Sequence, residues 1–75
     1  MKAYILIQTK PGTSEEVVKG IKERVKEATS VDSVYGRFDA IVVIEAPNID
    51  RINEIVYKVV GKDINIVHTE TSITL

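Results

Sequence analysis

Hydrophobic positions fall into six segments along the chain, and their spacing predicts six elements. Residues 2–9, KAYILIQT, contain the run Tyr4-Ile5-Leu6-Ile7, which reads as a strand apolar on both faces. Pro11-Gly12 breaks it. Val17, Val18, Ile21, Val25 and Ala28 then recur at helical spacing, which predicts an amphipathic helix over 14–28. Thr13-x-x-Glu16 has the spacing of a capping box, with the threonine bonding the first free amides. Gly20 lies inside this helix at about 1 kcal/mol relative to alanine, and is expected to allow close packing on a sheet. Residues 31–37 and 40–46 predict two strands joined through a hairpin turn at Gly36-Arg37-Phe38-Asp39. Pro47-Asn48 ends the second and opens a helix with the stripe Ile49, Ile52, Ile55, Val56, Val59 and Val60. Gly61 sits where a C-terminal cap glycine belongs. Residues 64–75, INIVHTETSITL, alternate β-branched and polar positions and predict a last strand.

The order is β-α-β-β-α-β, an α+β chain of the ferredoxin-like, split-βαβ kind. Right-handed crossovers place strands 1 and 3 of an antiparallel four-stranded sheet in its centre, strands 2 and 4 at the edges, and both helices on one face. The centre strands are apolar on both sides, whereas a solvated face calls for alternating polar residues. The open face is therefore expected to pack on a second copy, as in dimeric α/β barrels, and a two-fold pair is the simplest closed arrangement.

Size makes that partner useful. A chain of 75 residues is one domain and buries only about 60% of the surface its unfolded form exposes. It contains no cysteine, so disulfides and thiolate metal sites are excluded. Ten Lys and Arg stand against 11 Asp and Glu, with no basic block, which argues against direct nucleic-acid binding. No apolar run approaches the ~20 residues of a membrane span, and the start lacks a signal-peptide pattern. A cytoplasmic protein is expected. The abundance of Ile, Val, Lys and Glu hints at a thermophilic source.

Candidate chemistry is sparse. His68 is the single histidine, and Glu70 and Ser72 share its strand face through alternation alone. No metal-ligand spacing or phosphate loop surrounds it. No cofactor is expected. The RNA-binding version of this fold needs central-strand aromatics, and Tyr4 is the only one there. What remains is Gly36–Asp39 and Thr69-Glu70-Thr71. Gly36 suits a turn with positive φ, Asp39 suits a turn side chain that bonds nearby amides, and the threonines suit an edge strand.

Together these segments carry a resemblance. YGRFDAIVVIEAPN, a second helix and HTETSITL resemble the effector domain of the Lrp/AsnC family, the RAM domain of the feast/famine regulators. The family's Gly-x-x-Asp turn matches Gly36 to Asp39, and its Thr-x-Thr strand matches Thr69 and Thr71. The resemblance spans the chain as one RAM-like domain, 1–75, without the helix-turn-helix of full-length members. It implies a sheet-packed dimer, a ring of dimers up to an octamer, and a free amino acid bound where dimers meet. It also implies full-length regulators of the family as partners. On this reading Gly36, Arg37 and Phe38 offer amides to a carboxylate. Asp39 accepts from the ammonium, and Thr69 and Thr71 add hydroxyls from a neighbouring subunit. Asp32 and Val34 share a strand face with Gly36 and help read the side chain, with a lean toward an apolar, medium-sized amino acid. Because strands 2 and 4 lie at opposite edges, Asp39 and the threonines are expected to meet only between subunits.

Two other readings stay open. A small dimeric barrel enzyme, a monooxygenase or isomerase, would use His68 on a substrate held between sheet and helices. An ACT-like regulatory domain would bind its amino acid near Gly12.

Overall fold

The computed structural model describes all residues, 1–75. Strands β1 (Lys2–Thr9), β2 (Ala28–Ser33), β3 (Ala40–Glu45) and β4 (Ile66–Ile73) alternate with helices α1 (Ser14–Arg24) and α2 (Ile49–Lys58) in the expected order. A short 3-10 turn, Val60–Lys62, comes after α2. The sheet runs β2-β3-β1-β4 with every pair antiparallel, so the two apolar strands are central.

Register turns the sheet into rows. Ser33-Ala40-Ile7-Thr69 and Val31-Val42-Ile5-Thr71 lie on one face. Asp32-Ile41-Leu6-Glu70 and Ser30-Val43-Tyr4-Ser72 lie on the other. The first face carries the core. Ala3, Ile5, Ile7, Ala40, Val42 and Ile44 are fully buried there beneath Val17, Val18 and Ile21 of α1 and Ile52 and Ile55 of α2. All fifteen buried residues are apolar, so no buried polar group needs a partner. The second face has no helix above it, and Tyr4, Leu6, Ile41 and Val43 remain partly open to solvent.

Several boundaries differ from expectation. Helix α1 stops at Arg24, not at residue 28, because the sheet takes up Glu27 and Ala28. Glu27 O accepts the Glu45 amide and Ala28 pairs with Ile44, which draws both residues into the ladder. The capping box does not form: Thr13 Oγ1 turns back to donate to Lys10 O at 2.7 Å, and Thr13 makes no side-chain cap. Asn48 caps α2, accepting from the Arg51 amide at 3.0 Å. Gly20 faces open space toward Arg24 rather than a close sheet contact. Gly61 is not a left-handed cap; a β-carbon there would lie 3.0 Å from Val56 O. Ile49, first residue of α2, is exposed. Strand β2 ends at Ser33 rather than residue 37, which leaves a six-residue loop, 34–39, where a four-residue turn was expected.

Candidate functional site

Loop 34–39 joins β2 to β3, whose facing ends are Ser33 and Ala40. Gly36 adopts φ +142°, a conformation side chains resist, although a β-carbon there would meet nothing within 4 Å. Glycine is needed for the dihedral, not for room. The loop closes where the Val34 amide donates to Asp39 O at 2.9 Å. It is then fastened to the end of β1 at three points. The Asp39 amide donates to Ile7 O at 2.8 Å, the Thr9 amide donates to Asp39 Oδ2 at 2.8 Å, and Gln8 Nε2 donates to Arg37 O at 3.1 Å. Asp39 is thus a side-chain extension of the β-ladder beyond Ala40.

Two sets of groups stay available. The amides of Tyr35, Gly36, Arg37 and Phe38 donate to no protein acceptor. Asp39 Oδ1 likewise holds no hydrogen bond, while Oδ2 is committed to Thr9. The Arg37 guanidinium lies over the Phe38 ring at 5.9 Å, a cation–π approach that keeps its charge beside the loop. Backbone donors, a carboxylate oxygen and a guanidinium within one short loop can serve both ends of a zwitterion.

The other candidate residues fall around this loop unevenly. Thr69 pairs with Ile7, the residue whose carbonyl holds the Asp39 amide. Asp39 and Thr69 therefore flank β1 at the same end of the sheet, two strand spacings or roughly 10 Å apart. Asp39 leads into the central strand β3 rather than lying on the edge strand β2, so β1 alone separates it from β4. Thr71 lies two residues further along, level with Ile5, on the helix-bearing face. Asp32 lies on β2 level with Ile41, on the open face, and accepts from Ser30 Oγ at 2.9 Å. Val34 and Gly36 belong to the loop, so the strand face they were expected to share with Asp32 does not exist.

Surface cavities avoid the loop. A groove of about 380 Å³ runs between α1 and β2, lined by Lys22, Val25, Ala28 and Asp32 among others. A second of about 300 Å³ brings Thr69 and His68 beside Val60 and Ile66. Loop 34–39 lines neither of these. His68 stands on the open face opposite Gln8, with Nε2 3.6 Å from Glu70 Oε2. The space between sheet and helices, where an enzyme of this fold would hold substrate, is filled by the core. Gly12, at φ +79°, sits in a turn closed by the Thr13 amide on Lys10 O. No group of three His, Cys, Asp or Glu is placed to hold a metal, and no helix is long and apolar enough to cross a membrane.

A family model, the Lrp/AsnC ligand binding domain, matches residues 2–75. The chain belongs to this family. Among solved structures, a hypothetical protein from Pyrococcus horikoshii superposes with a TM-score of 0.91 at 27% identity, covering 99% of this chain and 88% of that one. Escherichia coli AsnC shares the fold, with a TM-score of 0.88 at 20% identity. Its match covers 99% of this chain and 50% of AsnC. A transcriptional regulator from Neisseria meningitidis, solved as a complex with L-Met, has a TM-score of 0.83 at 13% identity, covering 99% of this chain and 49% of that one. No curated protein matches the chain by sequence. Family membership was thus legible in the Gly36–Asp39 turn and the Thr69-x-Thr71 strand. The tie from Asp39 to Thr9 was not, since it joins residues 30 apart in sequence.

Proposed function

We propose that this Lrp/AsnC domain is a non-catalytic amino-acid sensor that takes one free amino acid between subunits. The observation that carries the reading is loop 34–39. It is pinned to the rigid end of β1, yet leaves four amides and one carboxylate oxygen unpaired. The amides hold the ligand carboxylate and Asp39 Oδ1 takes its ammonium. Charge-assisted bonds of this kind are about twice as strong as neutral ones. The complex of the Neisseria meningitidis relative with L-Met supports an amino acid as ligand, and an apolar, medium-sized one fits that example.

The site needs a second subunit. One chain offers the loop on an open surface, and Thr69 and Thr71 of a neighbour complete the enclosure together with Asp32 and Val34. The first contact between copies is the open sheet face, whose centre is Tyr4, Leu6, Ile41 and Val43. Such dimers join into a larger ring around the ligand sites. As a cytoplasmic module, this domain acts by joining full-length regulators of the family. Ligand changes that assembly only through unequal affinity for its states.

Amide spectra of the labelled protein test this directly, recorded while each of the twenty amino acids is added. Movement of the Tyr35–Asp39 and Thr69–Thr71 signals with one chemical class of amino acid is the expected result. Movement centred on Gly12 would favour the ACT-like site instead. No movement with any amino acid refutes the sensor reading.

A further inference from the structure

We infer that His68 makes the sheet-face pairing of two copies respond to pH, an inference that rests on the dimer proposed above. The open face has an apolar centre and charged margins. Asp32 stands at the β2 margin and Glu70 at the β4 margin of one row, level with Ile41 and Leu6. Glu45 and Lys2 face each other at one end, with Lys2 Nζ 5.3 Å from the centre of the Tyr4 ring. Lys10, the next residue after Gln8 on this face of β1, adds a second ammonium at the His68 end, placed there by a ladder bond from its amide to Asn65 O at 2.8 Å. Three carboxylates thus oppose two ammoniums, a formal charge of −1 on the face while the imidazole is neutral. Near the His68 end the loop adds Arg37 and Asp39, whose charges cancel; Gln8, directly opposite His68, is neutral. The chain's amino terminus is held on Ala46 O at 2.8 Å.

Sheets that stack face to face in the aligned class keep their strands within about 30° of each other, and it is this arrangement that the pairing takes. Margin then meets margin. Whether β2 of one copy lies over β2 or β4 of the other, an acidic margin meets an acidic margin. The pairing of apolar centres is opposed by like charge at both edges. His68, beside Glu70, is the one group on the face that ordinarily changes charge between about pH 5 and 8. Its protonation adds one positive charge per copy beside Glu70 at the β4 margin, and cancels the net charge of each face. Pairing therefore favours the protonated imidazole. By linkage that contribution is full on the acid side and is lost as pH rises.

The test is the dimer dissociation constant from sedimentation at about pH 5.5 and about pH 8. The expected result is pairing about tenfold tighter at the lower pH, a difference that shrinks in high salt. In His68→Gln the dependence disappears and affinity stays at the alkaline level. In His68→Arg it also disappears, but affinity stays at the acid level. A dimer with unchanged affinity across this range overturns the histidine role, as does an equal dependence in His68→Gln. A chain monomeric at both pH values overturns the sheet-face dimer itself, and so separates the two failures.

Discussion

Gly36 and Asp39 do different work in one loop, and substitution separates them. Gly36→Ala forces a side chain into φ +142° and costs about 1–3 kcal/mol of stability or of loop order. Asp39→Ala leaves the Thr9 amide without its acceptor, a loss of about 1–3 kcal/mol if that amide is shut off from water. Asp39→Asn keeps an acceptor for Thr9 but removes the charge offered to an ammonium. The expected outcome in denaturant unfolding is that Asp39→Asn stays close to the parent while Gly36→Ala and Asp39→Ala fall below it. At this scale the sequence was informative about the glycine, since few residues tolerate positive φ. It was silent about Asp39 Oδ2, because a turn aspartate that bonds its own loop and one that bonds a distant strand look alike in sequence.

Helix α2 is fastened to the turn before β2 by charge. Arg51 donates to Glu27 through Nε at 2.5 Å and through Nη2 at 3.0 Å, and also to Glu54, which takes Lys58 at 3.3 Å. The hydrogen bond from Arg51 holds the Glu27 carboxyl below its ordinary value of 4.5, and bonds from Arg51 and Lys58 do the same for Glu54. Arg51 is held protonated in return, chiefly by Glu27. A carboxyl with a depressed folded-state value contributes stability that is present at neutral pH and lost as pH falls through that value. Thermal unfolding of the protein and of Arg51→Met should therefore differ most at neutral pH and converge in acid below 4.5. A gap that persists in acid would mean that Arg51 acts through packing instead. This network also explains why α1 ends earlier than its apolar spacing predicts. Val25 and Ala28 keep helical spacing, but Glu27 is claimed by Arg51 and by the Glu45 amide, and neither partner is near in sequence.

Over the whole molecule, the element order, the central strands and the core were legible because the middles of β1 and β3 are apolar on both faces while the helices carry one stripe each. The unpaired sheet face was legible for the same reason. Its margins were less so, since rows such as Asp32-Ile41-Leu6-Glu70 need the register of three strand pairs. Leu6→Glu places a charge in the centre of that face and leaves the buried face untouched. It should convert dimers to folded monomers in sedimentation, with an unchanged circular dichroism spectrum. Dimers that survive Leu6→Glu would place the contact elsewhere.

Amino-acid binding at the pinned loop is the central claim, and calorimetric titration of the assembled protein with free amino acids reaches it most directly. One class of amino acid should bind at micromolar to millimolar strength, about −8 to −4 kcal/mol. In Asp39→Asn, with fold and assembly retained, that heat should vanish. Binding of equal strength in Asp39→Asn would contradict the assignment of the loop as the site.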